Sequence, residues 1–225
     1  MTPLTSRQFL TLRENAEVLE ADGHGEKVLR LADGSILKLF RRKSLLSSSL
    51  FCPYAVRFAR NAEALEARGI PCPQIIDTYR IPSIARTAVH YRPLPGETLR
   101  ALLPQQAPED LAQTCRQLGA FIADLHRQGV YFRSLHLGNV IMTEHSTLGL
   151  IDFADMRCNR RPLNRNLRQR NFRHLFRYAR DAALLLPAAE EFITGYCEAL
   201  PAGPRQHFTA YLQSLFNAAS ATRKR

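Results

Sequence analysis

The sequence predicts an α+β chain of two lobes: a small antiparallel-sheet lobe carrying one helix, followed by a mainly helical lobe. Three observations predict it. Residues 17–40 read as a meander of short strands broken by Asp-Gly turns, and from residue 108 apolar side chains recur at helical spacing. Between them Arg92-Pro93-Leu94-Pro95-Gly96 interrupts both patterns, so we place an N-lobe at 1–92 and a C-lobe at 93–225. A chain of 225 residues can hold one large domain or two small lobes, and an apolar fraction of 45% is enough for a buried core.

In the N-lobe, residues up to about Val18 form a short helix or an arm. Strand-like text follows at 16–21 and 27–31, with Asp22-Gly23-His24-Gly25-Glu26 as the turn between them. Gly23 and Gly25 serve either a plain turn or a backbone cradle for phosphate, since glycine lets N–H groups approach an anion closely. Ala32-Asp33-Gly34 is a second turn, and Ser35 to Phe40 a third strand. Lys38 lies in that strand among Ile36, Leu37, Leu39 and Phe40. An inward-facing lysine there requires a partner. A basic, serine-rich loop over 41–49 precedes a helix over 54–68, with Ala55, Phe58, Ala62 and Leu65 on one side and Gly69 as its stop. Further strands are expected from Ile75-Ile76 and over Thr87–Tyr91.

In the C-lobe, Pro108 followed by Glu109 and Asp110 is a well-formed helix start. Leu111, Cys115, Leu118, Phe121, Ile122 and Leu125 give that helix a core face, and Gly129 closes it. His126, at its end, reads as a hydrogen-bonded structural imidazole. A tight hairpin comes next, Val140-Ile141-Met142 and Leu148-Gly149-Leu150-Ile151, with Asn139 just before it and Asp152 just after. A hairpin brings those two positions to the same end, where an amide oxygen and a carboxylate suit Mg2+. After Met156 come nine arginines with no acid until Asp181, among them Arg157, Arg160, Arg161, Arg165, Arg168 and Arg170. Two closing helices are expected over 184–200 and 207–218, then a basic tail.

Five cysteines form no CxxC pair and no metal spacing, which points to reduced, mostly buried thiols. The N-terminus has no charged-then-apolar signal pattern, and no apolar run approaches the ~20 residues of a membrane span. A cytoplasmic protein is therefore expected. A net charge of +11 calls for an anionic partner: nucleic acid, phosphorylated lipid head groups or a membrane surface. The aromatic residues among the arginines, Phe172, Phe176 and Tyr178, fall at helical spacing, which disfavours nucleic acid.

The stretch 125–156 carries a resemblance. Phe132 to Asn139 lies over the pattern H-x-D-L-x-x-x-N and Asp152-Phe153-Ala154 over D-F-G, so the chain resembles the protein-kinase-like fold. Leu-His-x-x-Gly-Val at 125–130 and His-x-Gly-Asn at 136–139 are more similar to the Kdo/heptose lipopolysaccharide core kinases, including the bacterial "toluene tolerance" proteins. The resemblance covers about residues 17–180. It implies ATP and Mg2+ as cofactors, a catalytic-type loop at 132–139 and a metal loop at 152–154. Lys38 would contact the ATP phosphates and pair with a glutamate of the 54–68 helix, Glu63 or Glu66, with Glu63 favoured by the pattern. Gly23 and Gly25 would lie over phosphate, the 92–99 segment would receive adenine, and Asn139 and Asp152 would hold the metal. The arginines would face an acidic glycolipid or its phosphorylated sugar core, with peripheral contact at the inner face of the inner membrane.

One position departs from the pattern. Ser134 stands where the catalytic aspartate belongs. A serine can hydrogen-bond an acceptor hydroxyl but cannot take its proton at neutral pH, and His136 and Asp155 are the candidate stand-ins. Two readings follow: an ATP-dependent sugar kinase with an unconventional base, or a pseudokinase that keeps the scaffold for a binding or regulatory role in envelope biogenesis.

Overall fold

A computed structural model describes residues 1–41 and 53–223. Most of the expected serine-rich loop, with Cys52, lies outside the described residues. The chain divides into two compact units, Met1–Leu94 with Asp152–Asp155, and Pro95–Ile151 with Met156–Arg225.

The first unit is built on a six-stranded sheet of order β1-β5-β6-β4-β3-β2. Its elements are β1 (Thr2–Pro3), α1 (Ser6–Leu12), β2 (Glu17–Asp22), β3 (Gly25–Arg30), β4 (Ile36–Arg41), α2 (Tyr54–Glu66), β5 (Gln74–Ile81) and β6 (Arg86–Arg92). All pairings are antiparallel except β1 with β5, a two-residue parallel edge. The N-terminal arm thus contributes a strand as well as a helix. That helix begins with a reciprocal cap: Thr5 Oγ1 accepts from Gln8 N, and Gln8 Oε1 accepts from Thr5 N. Alternation in the strands sorts side chains between two faces. Leu29, Leu37, Leu39, Ile81 and Ala88 close one core against Phe9 of α1. The buried stripe of α2 is Ala55, Phe58, Ala62 and Leu65, with Phe58 stacked on Tyr91 of β6 at 5.4 Å.

The second unit contains β7 (Glu97–Thr98), α3 (Leu99–Leu102), α4 (Pro108–Arg127), β8 (Val130–Tyr131), β9 (Val140–Met142), β10 (Leu148–Leu150), β11 (Arg157–Cys158), α5 (Arg165–Leu175), α6 (Ala179–Leu185), α7 (Ala189–Glu198) and α8 (Ala202–Arg223). It is mainly helical, as the fold class requires. The α4–α7 contact depends on two glycines. A Cβ on Gly119 would stand 2.2 Å from Phe192 O, and one on Gly195 would stand 2.0 Å from Arg116 O. Only hydrogen at these positions lets the helices close. Phe172, Phe192, Tyr196 and Phe208 fill the core beneath them. The single helix expected over 184–200 is interrupted at Leu186–Ala188 by a 3₁₀ turn, because Pro187 cannot continue an α-helix.

The 140–151 hairpin forms as expected, with Leu150 opposite Val140 and β7 as a third strand. Among the described residues, Cys72, Cys115, Cys158 and Cys197 form no disulfide. Burial pushes the thiols of Cys72 and Cys115 up to about 12. No helix among the described residues is long and apolar enough to cross a membrane.

Candidate active site

In the first unit the sharpest feature is an ion pair. Lys38 Nζ lies 2.6 Å from Asp152 Oδ1, with the lysine side chain 17% exposed and the aspartate 49%. Lys38 is central in β4, opposite Val28 on one side and Val89 on the other. Alternation turns it away from Leu37 and Leu39, onto the sheet face that does not bear the Phe9 core. Asp152 has φ 55, a left-handed conformation that aspartate tolerates better than most residues. Its neighbour Phe153 is fully buried, stacked on Phe58 at 4.4 Å, and its carbonyl accepts from Asn61 Nδ2 at 2.7 Å. The aspartate is therefore presented by a segment fixed on both its ring and its backbone.

Helix α2 supplies a different residue from the one expected. Glu63 is exposed, as is Glu66, and the partner of Lys38 is Asp152. The reason is angular: Glu63 follows Ala62 by one residue, about 100° off the buried stripe. Asn61 and Phe58 do reach the 152–155 segment; the sequence marked Phe58 only as part of the apolar side of the helix and did not mark Asn61.

At the β2–β3 turn, Asp22 Oδ1 accepts the N–H of His24 at 2.8 Å, and that bond holds the Asp22 carboxyl below its usual range. Arg86 donates to the carbonyls of His24 and Glu26. Gly23 and Gly25 thus flank a turn closed by Asp22 and by Arg86 of β6, with one backbone donor already used.

The catalytic-type loop belongs to the second unit. Asn139 is 7% exposed, and its Nδ2 donates to Ser134 O at 2.9 Å, leaving Oδ1 as an acceptor. Ile151 N donates to Asn139 O at 3.0 Å, and Asp152 follows Ile151 directly in the chain. Ser134 and His136 are both half-buried.

A residue the sequence reading passed over holds this loop. Asp181 of α6 is 0% exposed and is gripped in two-point fashion by Arg100 of α3, Nε at 2.7 Å and Nη2 at 2.8 Å. Its Oδ2 also accepts the backbone N–H of Leu137 at 3.0 Å. The bond to Asp181 raises the Arg100 guanidinium above its ordinary value. Gly138 makes room: a Cβ there would stand 2.7 Å from Arg100 Nη1. The His-x-Gly-Asn text is thus the place where the loop is clamped. The available signal was Asp181 itself, the first acid after the arginine run, directly before an apolar stretch.

Arg100 Nη2 also lies 3.3 Å from His136 Nδ1. A guanidinium only donates, so this nitrogen of His136 is the acceptor and the ring proton sits on Nε2. In that tautomer His136 can orient an acceptor hydroxyl but has no free lone pair with which to deprotonate it. Asp155, half-buried, belongs to the first unit.

Behind the loop, His126 Nδ1 accepts from Tyr196 OH at 3.0 Å and His126 Nε2 donates to Asn171 Oδ1 at 3.0 Å. Asn171 Nδ2 donates onward to Phe132 O at 2.6 Å. Burial lowers His126 to about 3, so it stays neutral and structural. Of the arginines, Arg157, Arg160, Arg161, Arg165 and Arg170 are exposed, while Arg168 is half-buried and donates Nε to Leu163 O at 2.9 Å.

Residues 14–133 match the APH phosphotransferase enzyme family. The match spans more than half of the chain, and the chain belongs to this family of kinase-like phosphotransferases. The family generally uses ATP and Mg2+. No curated protein matches the chain.

Proposed function

We propose that this protein transfers phosphate from ATP, with Mg2+, to a hydroxyl of an acidic, phosphorylated sugar of the lipopolysaccharide core type. The observation that carries this reading is the Lys38–Asp152 pair, presented by a segment anchored through Phe153. Within the first unit Asp152 keeps Oδ2 for a cation that commonly takes one or two protein oxygens, and within the second Asn139 keeps Oδ1 as an acceptor. Lys38 supplies positive charge for phosphate oxygens. Bound metal would neutralise charge developing on the transferred group.

Transfer would join the acceptor oxygen to the γ-phosphorus and break its bond to the bridging oxygen, which leaves with ADP, while the acceptor's proton passes to a carboxylate base or to water. Ser134 can orient the hydroxyl. Without a carboxylate there, a base contribution of ~10²–10⁴-fold is forgone unless Asp155 supplies it. The exposed arginines Arg157, Arg160, Arg161 and Arg170 favour an anionic acceptor at the cytoplasmic face of a membrane. Ser134 itself favours a second reading, a pseudokinase that binds nucleotide without turnover.

Thermal shift with ATP and Mg2+ tests the nucleotide step. At a hundred times its dissociation constant a ligand of the native state adds ~2.7 kcal/mol. The shift should vanish in Lys38→Ala and Asp152→Ala, and no shift in the native protein at millimolar nucleotide defeats the kinase reading. Radiolabel transfer to purified core lipopolysaccharide then separates enzyme from pseudoenzyme. A Ser134→Asp protein much faster than the native one indicates a decayed base, and equal rates indicate a replacement.

A further inference from the structure

Within the second unit, away from the residues assigned to phosphoryl transfer, a cleft of about 430 Å3 opens where the start of α5 meets the α7–α8 connection. That volume falls in the usual range of small-molecule sites, about 300–1,000 Å3. Leu163, Leu200 and Phe208 make it apolar, and Arg165, Arg168 and His207 also line it. No carboxylate among the described residues pairs with either arginine, and none lines the cleft. Arg168 is held by its Nε bond to Leu163 O, which aims the fork while leaving Nη2 for a ligand. An apolar cavity lined by two guanidiniums and an imidazole matches a molecule with a hydrocarbon tail and a doubly charged head.

Arg168 also reaches the catalytic-type loop. Its Nη1 lies 3.5 Å from Tyr196 OH, which donates to His126, which donates to Asn171, which donates to the carbonyl of Phe132. His126, Asn171 and Tyr196 are at most 1% exposed, so water does not interrupt the relay. Phe132 is two residues from Ser134. We propose that this cleft binds a single-chain amphiphile with a phosphate head, and that its occupancy is felt at the catalytic-type loop through Arg168, Tyr196, His126 and Asn171. The inference stands whether or not the protein turns over.

The test uses the full chain and dodecyl phosphate below its micelle concentration, followed by calorimetry, with inorganic phosphate and dodecyl maltoside as probes of head and tail alone. Dodecyl phosphate should bind more tightly than either. Arg165→Ala, an exposed change that disturbs no packing, should weaken it about ten- to a hundredfold, as does loss of one hydrogen bond to a charged group. Equal binding of the maltoside, equal binding of free phosphate, or an unchanged Arg165→Ala protein overturns the site. Hydrogen exchange tests the relay. Dodecyl phosphate should slow exchange at residues 132–134 in the native protein, and Tyr196→Phe should abolish that slowing while still binding the ligand. Unaltered exchange in the native protein, or slowing that survives in Tyr196→Phe, overturns the relay.

Discussion

Two aspartates, each paired with a cation, do opposite work in the two units. Asp181 is sealed from solvent, and both its oxygens are spent on Arg100 and on the Leu137 N–H. Asp152 is half exposed and commits one oxygen to Lys38. A buried carboxylate with both oxygens bonded holds its surroundings in place, whereas an accessible one with an oxygen to spare can exchange its partner for a ligand. Burial, more than the presence of an ion pair, separates the carboxylate that fastens a loop from the one left open to a ligand here.

The largest effect should come from breaking the sealed pair. Asp181→Ala leaves Arg100 and the Leu137 N–H without their acceptor and should cost about 3–5 kcal/mol in denaturant unfolding. A loss below ~1 kcal/mol would mean the clamp is not structural. Next is acidity. The folded state holds His126 at about 3 against an ordinary 6.5, so below pH 6.5 the unfolded chain binds a proton that the folded one refuses. The contribution of neutral His126 is complete above pH 6.5 and declines as pH falls, by up to about 1.4 kcal/mol per unit. Melting from pH 7 to pH 5 should show this slope, and His126→Gln should flatten it; parallel curves would contradict the assignment. Gly138→Ala, which crowds the fixed Arg100 fork, should cost about 1–3 kcal/mol. The smallest stability change is expected at the open pair. Asp152→Asn keeps the left-handed backbone and should alter stability by less than ~1 kcal/mol, yet remove the nucleotide-induced shift. If Asp152→Asn were as damaging as Asp181→Ala, the contrast between the two sites would collapse.

The sequence was most informative where periodicity and chemistry coincide. Lys38 stands out because a charge interrupts an apolar strand, and Asn139 and Asp152 because they flank a short hairpin. The parallel edge at Thr2–Pro3 was not legible, since two residues carry no period. The family pattern favours Glu63 over Glu66 and does not mark Asn61, but the helix angle decides which side chain reaches Phe153. Asp181 was missed because its meaning depends on Arg100, 81 residues away in the chain. Long-range partners leave no spacing to read.

That separation bears on how the protein is made. A ribosome releases the segment 132–154 before α6, so the complete phosphotransfer motif emerges without the carboxylate that fastens it. Chains stopped short of Asp181 would carry every signature residue and still lack a settled loop. Nascent polypeptide should accordingly keep this loop unfastened until about two-thirds of its C-terminal unit has been synthesised.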